Sequence, residues 1–336
     1  MGLLDFIYSK KCEGVYTKRK ILGINVITKR NSSNLNNDRN IYNLLNLENK
    51  VNDIYSKLSL MRVDMAYCNN FMMYEIYKNM LLNTEKYNDE KRLEKFGYKV
   101  FSQNEEDGIL NEIFNRIGTT NKFFVEFGVQ DGLECNSHYL LFQGWSGVFI
   151  EGSTEYCKMI NNNFSKLIEK NKLKVLNNFI TKENINDLIG TTDAANIKDI
   201  DLLSIDIDGN DYHIFNIINI VNPRVIVIEY NSKFPPPVEW IMPYDPNYVW
   251  KDASDKQSAS LESITKLANK KNYQLVATDF AGVNAFFVRK DLCEDKFPTD
   301  DSAKNLYNPP RYLCTTNIPR PMHPNRYFLE NFISEE

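Results

Sequence analysis

Three textures succeed one another along the chain. In residues 14–30, GVYTKRKILGINVITKR, apolar and polar positions alternate around a turn-like centre, the pattern of a small β-hairpin. Residues 31–40, NSSNLNNDRN, are rich in Asn and Ser and read as a linker. Leu44, Leu47, Val51, Ile54, Leu58, Met61 and Met65 then recur at alternating spacings of three and four, and Cys68 and Met72 continue the series. This heptad seam over 44–72 predicts a long helix. Two readings of it stand side by side: pairing with a second copy as a parallel coiled coil, or packing on the rest of its own chain.

From residue 98 the period changes. Ser102, with Glu105 three residues on, reads as a capping box that opens a helix with Ile109, Leu110, Ile113, Phe114 and Ile117 on one face. Gly118 ends it. Apolar runs at 123–127, 146–151, 173–177, 201–206, 224–229, 273–278 and 284–289 then predict seven strands. Helical segments fall between most of them, at roughly 135–143, 154–169, 183–190, 210–220 and 259–271. The runs at 201 and 224 are continuously apolar, as strands covered on both faces require. The fold class is therefore α/β, a Rossmann-like, mostly parallel seven-stranded sheet with helices on both faces, preceded by a helical N-terminal region. The last two strands are close enough in sequence to end the sheet as a hairpin. The domains read as 1–95, 96–292 and a Pro-rich extension 293–336, whose YNPPRYLC and NIPRPMHPNRYF fit neither regular helix nor central strand. That extension is either an ordered wrap or a free end.

Charge is divided unevenly. Residues 1–100 hold 17 Lys and Arg against 11 Asp and Glu, and the remainder holds 23 against 33. A basic first segment can meet an anionic surface, although a solvated face is the simpler reading. The acidic main domain argues against nucleic acid as a partner. Six scattered cysteines without a CxxC suit reduced thiols and a cytoplasmic protein. No apolar run reaches the ~18 residues of a transmembrane helix, which leaves room only for peripheral contact with a membrane.

The chemistry concentrates at strand ends. The first strand of the sheet ends at Glu126, and Gly128 and Gly132 let the next loop turn sharply and bring backbone close to a ligand. Two glycines alone describe an ordinary strand-to-helix turn. Glu151 at the end of the second strand changes that, because a carboxylate there can accept from two ribose hydroxyls. A dinucleotide site would need a third glycine in GxGxxG, which is missing.

The ExGxxxG loop plus this second acid resembles class I S-adenosylmethionine-dependent methyltransferases. SQNEEDGI, VEFGVQDG, WSGVFIE, LLSIDIDGNDY, VIVIEYN and GVNAFFVR in that order resemble the FkbM-type bacterial methyltransferases, over about residues 98–292. That resemblance implies S-adenosylmethionine as cofactor, with Glu126, Gly128, Gln130, Asp131, Gly132 and Asp206 around its methionine end. It places Glu151 at the ribose and Asn178 near the adenine. It also implies O-methylation of a sugar, nucleotide-activated or carrier-linked, in capsule or surface-polysaccharide synthesis. A non-catalytic coiled-coil scaffold, or methylation of an amine or small non-sugar hydroxyl, are the alternatives.

SIDIDGNDYHIF and EYNS bring further acids to strand ends that point the same way. Asp206 or Asp208 with Glu229 and Asn231 could hold Mg²⁺ or Mn²⁺ through hard oxygen ligands. Metal-dependent small-molecule O-methyltransferases are similar, but here Tyr230 separates the acid from the amide. Without a metal, Asp208 or His213 would be the general base. An EF-hand is excluded, since DIDGND has Gly at its fourth place and Ile217 stands at the twelfth. Trp240, Tyr244, Tyr248 and Trp250, in the loop FPPPVEWIMPYDPNYVW, are candidate platforms for a substrate ring, or aromatics tucked onto the core. Ser258 and Ser260 stand before a helix, as a phosphate site or as plain caps.

Overall fold

A computed structural model describes residues 8–13, 16–21, 24–29, 35–251 and 254–311. The chain divides into two compact units, Met1–Met65 and Ala66–Glu336. The first holds an antiparallel meander of β1 (Tyr8–Glu13), β2 (Tyr16–Ile21) and β3 (Ile24–Lys29). The hairpin expected at 14–30 is β2 with β3, and β1 adds a strand. Helix α1 (Leu35–Leu82) begins inside the stretch expected to be a linker. Asn36, Asn37 and Asp38 fall in its first turn, where short polar and acidic residues are well accommodated. Of the described seam residues, Leu47, Ile54, Leu58, Met61, Met65 and Met72 are 49–64% exposed, and Val51 is half-buried.

The second unit is built on a seven-stranded sheet of β4 (Phe123–Phe127), β5 (Ser146–Glu151), β6 (Leu173–Asn177), β7 (Leu202–Ile205), β8 (Val225–Glu229), β9 (Tyr273–Thr278) and β10 (Asn284–Arg289). Their order is β6-β5-β4-β7-β8-β10-β9. The first five run parallel, and β10 is antiparallel to both β8 and β9. The expected terminal hairpin is present, with its second strand inserted beside β8. Strand order reverses between β4 and β7, so the crevice for a ligand opens at their carboxyl ends.

Alternation along each strand feeds two cores. Phe127, Val148, Ile226 and Ile228 face one side, with Ile214 and Leu261 covering them. Phe124, Phe149, Val225 and Val227 face the other, under Ile109, Ile113 and Phe114 of α2 (Glu106–Ile117). The α2 entrance differs from the expected box. Ser102 Oγ accepts from the Asp107 amide at 3.3 Å, and Asp107 returns the bracket by accepting from the amides of Val100, Phe101 and Ser102. Glu105 instead pairs with Lys78. Residues 293–311 form an ordered wrap: Tyr307 donates to Ser232 O at 2.6 Å, and Tyr230 donates to Asn308 O at 2.7 Å. The remainder of the extension lies outside the described residues.

Candidate functional site

Two adjoining cavities occupy the crevice, of about 480 and 350 Å³. They share Gly128, Gln130, Asp206 and Asp208. The larger is lined by Glu151, Phe179, Ile180, Tyr248 and Trp250. The smaller reaches Glu126, Glu229, Gln103 and Asn284.

Gly128 is where the loop after β4 meets the turn after β7. Its φ is +68°, and a Cβ there would lie 1.7 Å from the carbonyl oxygen of Asp206. Only glycine fits. Gly132, at φ +80°, serves the turn and does not line either cavity. Glu126 lines the smaller cavity, but its own chain occupies its carboxylate. It accepts from the Asn136 and Ser137 amides at 2.8 and 2.9 Å, from Ser204 Oγ at 3.2 Å and from Ser137 Oγ. Burial pushes its pKa up while these donors pull it down. Glu126 therefore pins the 128–137 loop to the sheet.

Glu151 is arranged as an acceptor. One oxygen takes the Gln130 amide at 2.9 Å and the other the Ser153 amide at 2.8 Å, which fixes the carboxylate and leaves lone pairs for the cavity it lines. Asn178 is exposed and outside the lining; its amide donates to Glu151 O at 3.0 Å, and Phe179 and Ile180 form the apolar wall instead. Asp131 lines the smaller cavity and accepts from the Leu133 amide at 3.1 Å.

At the other end, carboxylate oxygens of Asp206, Asp208 and Glu229 lie within 4.8 Å of one another. Asp208 sits at φ +55°, a left-handed conformation that Asp tolerates. Asp211 holds this turn by accepting from the Ile207 and Gly209 amides, each at 2.9 Å. Burial, then the charges of Asp208, Asp211, Glu126 and Glu106, raise Asp206 well above the usual carboxylate range. Burial, then Asp206, Asp208 and Asp211, does the same to Glu229, against the pull of Lys233. Asp208 reaches solvent at the mouth, yet loss of hydration raises it too.

Several expected residues are turned elsewhere. His213 Nε2 lies 2.7 Å from Met242 O and its ring meets Tyr244, so it does not reach either cavity. Asn231 is fully buried and donates to the carbonyls of Asp255 and Gln257, which takes it out of the acidic group. Trp240 is stacked on Phe234 at 4.4 Å in a small core of its own. Tyr244 is held on Glu183 and the Lys182 amide, outside the lining. Tyr248 does line a cavity, but the one around Glu151. Ser260 caps the helix Leu261–Lys270, and Ser258 donates to Glu229 O at 2.6 Å; both are fully buried. Conversely, Gln103, Glu106 and Asn284 line the smaller cavity. Glu106 accepts from Asn284 Nδ2 at 2.9 Å across 178 residues of sequence. Their segments, SQNEEDGI and GVNAFFVR, are among those that carry the family resemblance, but no local pattern singles out these three residues.

Residues 180–248 match the family model described as Methyltransferase FkbM domain. No curated protein matches the chain in sequence. Among solved structures, the N-terminal domain of EvdMO1 with SAH bound is 11% identical, over 57% of this chain and 88% of that one, with a TM-score of 0.34. An O-methyltransferase from Bacillus cereus in complex with SAH is 15% identical, over 53% and 76%, at 0.36. An S-adenosylmethionine-dependent methyltransferase from Clostridium acetobutylicum ATCC 824 is 12% identical, over 66% and 98%, at 0.35. Likenesses this slight carry no argument about chemistry. The family match spans the segment that carries Asp206, Asp208, Glu229 and part of the wall of the larger cavity, so that segment is similar to the FkbM methyltransferase domain and supports an S-adenosylmethionine-dependent methyltransferase.

Proposed function

We propose that the chain methylates a hydroxyl of a sugar, carrier-linked or nucleotide-activated, in capsule or surface-glycan synthesis. The observation that carries this reading is the smaller cavity, whose lining is polar and adjoins the larger one through Asp206 and Asp208. Seven of its lining residues are acidic and none is Lys or Arg. Carboxylates and amides there accept from and donate to a polyhydroxylated ring, whereas an anionic carrier would stay outside.

S-adenosylmethionine supplies a sulfonium methyl group. The chain's part is placement: Glu151 accepts from ribose hydroxyls, and the Gly128 turn brings backbone close to the methionine end. Asp206 and Asp208 border both cavities, where carboxylates favour a cationic donor over its neutral product. With the cofactor bound, an acceptor oxygen would take the methyl carbon as the carbon–sulfur electron pair went to sulfur, and Asp208, the member of the acidic group open to solvent, would take the hydroxyl proton.

The test is calorimetry with S-adenosylhomocysteine, then transfer of labelled methyl to sugars and sugar nucleotides. Binding with no label in any hydroxyl would defeat the sugar assignment. The same acidic lining favours a second reading, an amine acceptor bound as its ammonium; label recovered on nitrogen would select it. Self-complementary heptad spacing supports pairing of the 44–72 seam with a second copy. Light scattering on the full chain and on Leu58→Glu/Met65→Glu would read it, with an unchanged mass counting against it.

A further inference from the structure

We infer that Asp206, Asp208 and Glu229 form a divalent-cation site of the Mg²⁺ or Mn²⁺ class, placed to hold acceptor oxygens at the donor methyl. The inference rests on the methyl-transfer reading above for its role, but not for its existence. An acidic group alone would not suffice, and Glu229 supplies the independent observation. It is 7% exposed and lines the smaller cavity; Gln257 Nε2 occupies its Oε1 at 3.2 Å, while its Oε2 has no hydrogen-bond partner. A buried carboxylate oxygen left bare carries a desolvation cost that a bound cation removes.

No salt bridge reaches any of the three acids among the described residues. Lys233 acts on Glu229 at a distance, but its Nζ makes no hydrogen bond. The group is also held in place before any ligand arrives. Asp211 fixes the turn that carries Asp208, Gly128 abuts Asp206, and Gln257 holds Glu229. Three carboxylate oxygens are hard donors with room for further oxygens from the cavity, which suits Mg²⁺ or Mn²⁺ rather than a thiophilic ion. This ligand set replaces Asn231 with Asp208, since the Asn231 amide is committed to the 255–257 loop. A cation so placed lowers the pKa of a coordinated hydroxyl and aligns a vicinal pair of oxygens.

The probe is Mn²⁺, titrated into the EDTA-stripped full chain by calorimetry and electron paramagnetic resonance, with and without S-adenosylhomocysteine. One Mn²⁺ per chain is expected. Asp208→Asn and Glu229→Gln should each weaken it by at least about tenfold. Glu134→Gln, an acid in the same lining but outside the three, should leave it unchanged. Asp208 is exposed, so its variant tests the site even where Glu229→Gln fails to fold. Absence of Mn²⁺ binding overturns the site, as does equal loss across all three variants, which would mean diffuse acidic attraction. Binding of S-adenosylhomocysteine is read separately, so failure of the cofactor arm would strike the methyl-transfer reading and leave the metal result standing.

Discussion

The two ends of the crevice use carboxylates in opposite ways. At one end, each Glu151 oxygen already holds a backbone amide, and the remaining lone pairs are aimed by that anchorage. At the other, Asp206, Asp208 and Glu229 crowd within 4.8 Å, with Glu229 Oε2 bare. A tethered acid is a finished acceptor whose geometry costs little on binding. Crowded, unmet acids are an electrostatic debt that a cation, a proton or a substrate must settle. The first arrangement selects shape, and the second selects charge.

The sharpest way to break this division is at the joint between the ends. Gly128→Ala should destabilise the fold by on the order of 2–4 kcal/mol, from a forced φ and a clash with Asp206 O, and should abolish binding of S-adenosylhomocysteine. Thermal unfolding and calorimetry read both. Glu151→Ala should weaken that ligand roughly 100-fold, through loss of charge-assisted ribose hydrogen bonds, with little change in unfolding temperature. Asp208→Asn should do the reverse: methyl transfer falls about 10²–10³-fold while cofactor affinity stays within about threefold. Equal losses of binding and rate in that variant would show the ends to be inseparable.

A smaller effect is expected from pH alone. Burial raises Glu105 to about 8, and Asp211 and Asp279 to about 7. Folded pKa values above the unfolded ones, near ~4, mean that the native state binds extra protons. Their contribution is therefore complete below about pH 4 and declines as pH rises through 7 to 8. The unfolding midpoint of the metal-stripped chain should be lower near pH 8 than near pH 5.5, and Asp208→Asn should narrow the gap. A flat profile would mean that the acids are neutralised from within. The smallest change is expected at His213→Gln, which leaves the transfer rate intact because that ring is committed to Met242 O.

The sheet was legible because its strands are near-continuous apolar runs bounded by turns, and five of the seven observed spans coincide with the expected ones. The place of Gly128, Gln130 and Glu151 beside a cavity was legible because in this fold the carboxyl ends of the strands open on the crevice. What could not be read was side-chain commitment. Trp240 looks like a platform until Phe234 is found lying on it, and Asn231 looks like a ligand until its amide is traced to two carbonyls. The contribution of Glu106 depends on Asn284, far along the chain, and no local period encodes such a pairing. Linker and helix were confused at residues 35–40 because Asn and Asp serve both.

The C-terminal wrap sets an order of assembly. Tyr230 and Ser232, flanking the segment after Glu229, are held by Asn308 and Tyr307. During synthesis the Glu151 carboxylate can find its two amide partners, Gln130 and Ser153, early, and the pocket it lines is completed once Tyr248 and Trp250 are made. The surroundings of Glu229 wait for the last tens of residues to leave the ribosome. A chain interrupted before Tyr307 would thus keep the lining of the larger cavity and lose the support of the segment after Glu229, so the shape of the acidic end becomes a report that translation reached the clasp.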